Sequence, residues 1–269
     1  MHNRVYIATF SEHAAATARR YGFGLEINDF CISENLDSRR MEAALKAVRA
    51  ELEEAGAAQA IFHGPFTEII PASIDHRAAE LGMERLQQAY EAASLLGINR
   101  MVVHSGYIPL LYFKEWHQER SVLFWKEYLR DKPGDFHLYI ENVFEDEPLM
   151  MKRLIEGIDD DRVQICMDIG HANAMTSDDY DVTSWIRAAG PYIGHFHLHN
   201  NDGRSDQHNS LTKGTMDINA VFDAIDTYCD KAVTMTIESR SSEESARWIM
   251  ERMGIKQIRQ ISALHLQST

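Results

Sequence analysis

Short apolar runs rich in β-branched and aromatic residues alternate with longer stretches whose apolar residues recur every three or four positions. The runs are VYIATF (5–10), FGLEIN (23–28), AIFHG (60–64), MVVHSG (101–106), HLYIEN (137–142), VQICMDIG (163–170), YIGHFHLH (192–199) and VTMTIE (233–238). Each reads as a strand. Helical spacing runs through 39–56, 76–97 and 217–228, the last with Asp217 as a plausible N-cap. Strand–helix alternation implies parallel strands with helical crossovers. Eight such units in a chain of 269 residues predict an α/β fold of the (β/α)8 TIM-barrel type. An open doubly wound sheet would normally carry a glycine-rich phosphate loop after its first strand. Here that strand runs into ATFSEHAAA, which has no glycine. No linker or low-complexity stretch divides the sequence, so one domain over 1–269 is expected.

In such barrels chemistry is built at the carboxyl ends of the strands. Those ends are polar here in a consistent way. Strand three closes with His63, strand four with His104 and strand five with Glu141 followed by Asn142. Strand six ends with Asp168, with His171 three residues later, and strand eight ends with Glu238. Glu26 lies near the end of strand two. Strand seven and its loop read GHFHLHNNDGRSDQH (194–208), with His195, His197 and His199 on one strand face and Asp206 and His208 in the loop. One such residue alone is ordinary hydrogen-bonded structure. Six successive strands ending in imidazole or carboxylate is different, because carboxylates converging on a barrel mouth repel one another and suffer desolvation. Divalent cations neutralise that charge, and imidazole nitrogens and carboxylate oxygens are their usual ligands.

Composition narrows the chemistry. The net charge of −14 argues against a nucleic-acid partner, which would require a basic face. No apolar run approaches the roughly 18 residues of a membrane span, and the N-terminus has no signal-peptide core, so a cytoplasmic location is the expectation. Cys31, Cys166 and Cys229 lie far apart, which indicates neither a disulfide framework nor a thiolate zinc site. A nitrogen and oxygen ligand sphere suits Zn²⁺, Mn²⁺, Co²⁺ or Fe²⁺. The sequence is compatible with a homo-oligomer.

The segments HGPF (63–66), VVHSGY (102–107), IENVF (140–144), MDIGHANA (167–174), HLHNNDGRSDQHNSL (197–211) and IES (237–239) together resemble the xylose-isomerase-like barrel superfamily, which includes endonuclease IV and many sugar isomerases and epimerases. The resemblance runs from about strand two to strand eight. Carried over position by position, the nine ligands that hold three zinc ions in endonuclease IV fall on His63, His104, Glu141, Asp168, His171, His197, Asp206, His208 and Glu238. The single-metal set of the sugar epimerases would be Glu141, Asp168, His197 and Glu238, with His171 contacting substrate. By motif His197 is the strand-seven ligand, with His199 the substitute one pleat on and His195 a structural residue. Arg204 lies near the place of a substrate-binding arginine, with spacing that differs by one. Departures include Asn200 where many relatives have Asp, and Leu211-Thr-Lys-Gly214 where they have LGEG; Lys213 thereby puts a positive charge near the mouth.

The resemblance implies a metal-dependent sugar or sugar-phosphate isomerase or epimerase, with Zn²⁺ or Mn²⁺ as cofactor and one to three ions bound. Glu141 and Glu238 would be the catalytic acid and base. His171, Arg204 and Lys213 would meet the small-molecule substrate. A multinuclear zinc phosphoesterase of the endonuclease IV type is the alternative, as is a metal-dependent dehydratase. Against a DNA substrate, the loops after strands one to three carry few basic residues. The segment Tyr107-Ile-Pro-Leu-Leu-Tyr-Phe113, with Trp116, is read as packing at a helix start, with a cover over a sugar as the other reading.

Overall fold

The computed structural model describes residues 4–177 and 179–254; residues 1–3, 178 and 255–269, which the expected domain span also takes in, lie outside the described residues. Eight parallel strands close into a barrel in chain order. They are β1 (Val5–Ala8), β2 (Gly24–Ile27), β3 (Ala60–His63), β4 (Arg100–His104), β5 (His137–Glu141), β6 (Val163–Asp168), β7 (Ile193–Leu198) and β8 (Thr234–Ile237). The described crossover helices are α1 (Ala14–Tyr21), α2 (Ser38–Ala55), α3 (His76–Leu95), α4 (Lys114–Leu129), α5 (Pro148–Ile158), α6 (Ile169–Met175), α7 (Val182–Ala189) and α8 (Ile218–Tyr228), with α9 (Ser242–Arg252) after β8.

Each strand is buried on both faces, which explains why the runs are short and mostly apolar. One face, including Ile7, Leu25, Phe62, Val103, Ile140, Met167, Phe196 and Ile237, packs on the helices in the main core. Burying a side chain of this size contributes about 1.5–3 kcal/mol. The other face fills the barrel. Tyr6, Ile61, Val102, Tyr139 and Cys166 form a small separate apolar cluster there. The ladder register then sets His104 beside Glu141 and Asp168 beside His197. The interior therefore passes from an apolar plug to a polar layer toward the carboxyl ends of the strands.

Two expected boundaries change for local reasons. The strand expected over 163–170 stops at Asp168, because the Asp168 carboxylate accepts the His171 backbone N–H (2.7 Å) and caps α6. Asp217 caps α8 as the sequence indicated, accepting the Asn219 and Ala220 N–H groups. The 107–113 segment does not pack as a helix start throughout. Leu110, Leu111 and Phe113 are exposed (106%, 65% and 83%), and α4 begins only at Lys114.

Candidate metal centre at the barrel mouth

β3, β4 and β5 end together, and their last residues meet. His63 Nε2 and His104 Nε2 lie 3.3 and 3.4 Å from the same oxygen, Oε2 of Glu141. The other Glu141 oxygen, Oε1, lies 3.2 Å from His171 Nδ1 and 3.4 Å from His197 Nδ1. Glu141 thus stands between two imidazole pairs. Asn142, the next residue, ties β5 to β6: its amide donates to the Asp168 carbonyl (3.0 Å) and its Oδ1 accepts the Asp168 N–H (2.9 Å). The two carboxylates are held in fixed relation by that clamp.

His197 lies at the centre. Its Nδ1 faces three carboxylates from three strand ends: Glu238 Oε2 at 3.3 Å, Glu141 Oε1 at 3.4 Å and Asp168 Oδ2 at 3.8 Å. Its Nε2 lies 3.0 Å from Glu26 Oε1. The outer group is built from the β7 loop, where Asp206 Oδ2 lies 3.0 Å from His208 Nε2 and 3.5 Å from His171 Nε2. His208 adopts a left-handed backbone (φ 50°) and anchors its Nδ1 on the Glu238 carbonyl (2.6 Å).

All nine residues carried over as ligands are therefore brought into one basin. Two sequence-named substrate residues are not. Lys213 is exposed and pairs with Glu244 (2.8 Å). Arg204 is exposed, and among the described residues no ion pair joins it to the cluster.

Four residues line or support the site beyond the nine. His199 Nε2 lies 3.1 and 3.2 Å from the two Asp168 oxygens and 3.6 Å from Asp206, and its ring stacks on His208 (4.1 Å). The choice between His197 and His199 thus dissolves: both line the basin, at successive depths. Glu26 is fully buried and accepts from His195 Nε2 (3.2 Å) and from Thr236. His195 also lies 2.7 Å from Thr234, making it part of the support beneath the centre. A lone carboxylate inside the otherwise apolar GLEI strand was the available signal for Glu26. Cys31, whose Sγ lies 3.1 Å from His63 Nδ1, had none, because it sits in the irregular β2–α2 connection.

Electrostatics bind these groups to each other. Burial alone raises a carboxyl, yet at Glu141 the neighbouring imidazoles of His197, His104 and His171 outweigh it and hold the group well below its usual range. Asp168 is likewise brought down to about 2 against its burial, by His171 and His199. At Glu238 burial prevails and the carboxyl is raised. Burial also prevails at His104, pushed down to about 3, whereas the Asp206 hydrogen bond overcomes it at His208 and lifts that imidazole to about 9.

The donor set fits a divalent cation. Glu141 Oε2, both His197 nitrogens and His199 Nδ1 are buried without a directed hydrogen bond among the described residues. Buried polar atoms of this kind are costly unless something else satisfies them. Ligand atoms lie within 4.8 Å of one another in the groups His63–His104–Glu141, Glu26–His63–His197–Glu238, His171–Asp206–His208 and His199–His208–Glu238. Such nitrogen and carboxylate clusters suit Zn²⁺ or Mn²⁺.

Residues 17–255 match the model of a family described as the xylose isomerase-like TIM barrel. The chain is 27% identical over 188 residues to the uncharacterized protein MJ1311 of Methanocaldococcus jannaschii. That alignment covers 65% of this chain and 62% of the relative, so less than two thirds of the relative's length is spanned. Among solved structures, the TTHB071 protein of Thermus thermophilus, soaked with ZnCl₂, superposes with a TM-score of 0.71 at 24% identity, covering 94% of this chain and 98% of that one. A D-tagatose 3-epimerase-like protein superposes with a TM-score of 0.69 at 21% identity, covering 93% and 96%. At these identities the likeness establishes the fold.

Proposed function

Since the chain belongs to the xylose isomerase-like TIM barrel family, we propose that it is a divalent-metal-dependent isomerase or epimerase of a sugar or sugar phosphate. The observation that carries this reading is the approach of Glu141 and Glu238 to one imidazole nitrogen from different strand ends, 3.4 and 3.3 Å from His197 Nδ1. Glu141, Asp168, His197 and Glu238 would hold the cation. When bound, it supplies Lewis-acid charge that makes the proton beside a chelated carbonyl more acidic. Glu141 and Glu238 then serve as the pair that takes the proton from carbon and returns it. Inversion at a sugar carbon calls for a proton-transfer group on each face, and two such carboxylates can supply them. His171, 3.2 Å from Glu141, orients that carboxylate and faces the substrate space. The structural likeness to a D-tagatose 3-epimerase-like protein supports the same reaction class.

One observation favours a second reading, a multinuclear phosphoesterase. The groups His63–His104–Glu141 and His171–Asp206–His208 flank the central set and could each hold a further ion. A proton-transfer enzyme has no need of both. Two measurements separate the readings. Protein purified without added metal should contain about one equivalent for the isomerase and two or three for the hydrolase. Sugars incubated with the protein in deuterated water should exchange at a single carbon. Cleavage of an abasic-site oligonucleotide without exchange on any sugar would overturn the first reading.

A further inference from the structure

A second cavity, about 210 Å³ in volume, opens beside the metal centre. Its walls come from three loops: Phe66 and Ile70 after β3, Tyr107 and Ile108 after β4, Val143 and Phe144 after β5. Gly106 joins the first two loops. Its φ of 71° and the closeness of Pro71 Cδ (2.6 Å) and the Ile69 carbonyl (2.7 Å) to any Cβ leave room only for glycine. His104 lines the cavity and separates it from Glu141. Its ring stacks on Phe66 (centroids 4.3 Å apart, 10° between planes), while its Nε2 lies 3.4 Å from Glu141 Oε2.

The lining decides what fits. Among the described residues no carboxylate, ammonium or guanidinium faces this cavity. Lys114, at the start of the next helix, is engaged by Asp146 and Glu147. Thr67, Tyr107 and His104 supply the few polar groups of a mostly apolar lining, so a phosphate would find no counter-charge here and most sugar hydroxyls would lose their water without gaining partners. An apolar group gains by leaving water. A cavity of roughly 150 Å³ is enough to hold a benzene ring, so this one takes a single aromatic ring or a branched alkyl group of similar bulk. The exposed side chains of Leu110, Leu111 and Phe113 continue the loop beyond Ile108, so more apolar surface follows the cavity in sequence.

We propose that this cavity is a subsite for an apolar substituent of the substrate, which makes the substrate an aryl or alkyl derivative of a neutral sugar or polyol. The inference rests on the preceding reading for where the substrate oxygens sit, at Glu141 and Glu238. It narrows that reading by favouring a neutral substrate over a sugar phosphate.

The test is equilibrium binding to zinc-loaded protein of 1-phenylethane-1,2-diol against ethylene glycol, which offers the same vicinal oxygens without the ring. The phenyl diol should bind about tenfold or more tightly, with nuclear Overhauser contacts from its ring protons to the methyl groups of Ile70, Ile108 and Val143. Phe144→Asp, at an already half-exposed position, and Ile70→Asp should each remove the preference, with folding checked by circular dichroism. Equal affinities, no binding of the phenyl diol up to its solubility limit, or a preference unchanged in both folded variants would overturn the subsite. Failure of the proton-transfer reading has a different signature, namely absence of solvent exchange with the binding preference intact.

Discussion

Glu26 Oε1 lies 3.0 Å from His197 Nε2 at a depth where neither residue reaches solvent. The same carboxylate is held from its other oxygen by His195 and Thr236. A carboxylate this close behind one imidazole nitrogen helps orient the ring and leaves the opposite nitrogen facing the centre. Glu26→Gln should therefore lower metal affinity about 10–100-fold while leaving the fold intact. Chelator competition read by metal content measures this directly. Unchanged affinity would mean that the strand ladder alone orients His197.

Gly170 carries a second prediction. A Cβ at this position would lie 1.9 Å from His199 Cε1, so the glycine of the MDIGH segment is what lets the His199 ring lie against the start of α6. Gly170→Ala forces that ring or the helix to shift, at a cost of about 1–3 kcal/mol. A melting temperature lower by several degrees is expected. Removing the ring as well, in Gly170→Ala with His199→Ala, should recover much of the loss, which a double-mutant cycle would reveal.

These two contacts also mark the limit of what the sequence discloses. All eight strands were legible because burial on both faces leaves a short, mostly apolar run, and the carboxyl ends were legible because His63, His104, Glu141 and Asp168 each close one. The pairing of Glu26 with His197 was not legible. It joins residues of β2 and β7 across the barrel interior, and no local pattern encodes a contact between strands that are not neighbours. The depth of His199 was hidden as well: the motif points to His197, yet both imidazoles face Asp168, one pleat apart. The pairing of Lys213 with Glu244 was hidden in the same way, because Glu244 lies on the helix after β8, far downstream in the chain.

For the proton-transfer pair, Glu238→Gln removes a group that can move a proton but keeps its shape. Solvent exchange into a turned-over sugar should fall about 10²–10⁴-fold. The fold should be retained, since Glu238 follows the last β8 residue and its carbonyl continues to anchor His208 Nδ1. A variant that exchanges at the wild-type rate would remove Glu238 from the mechanism.

His117, on α4 and away from the mouth, sets a pH dependence of stability. It is buried against Tyr107, its ring nitrogens have no partner among the described residues, and burial pushes its pKa down from 6.5 to about 4. The unfolded chain takes up this proton below pH 6.5, whereas the folded chain resists until about pH 4. Folding is therefore unhindered above pH 6.5 and loses stability progressively as pH falls through that window, by up to about 3 kcal/mol at its lower edge. His117→Phe keeps the ring packing and deletes the titration. Its melting temperature should drop less than that of the native protein between about pH 7 and pH 4.5, and equal drops would show that the acid sensitivity comes from elsewhere.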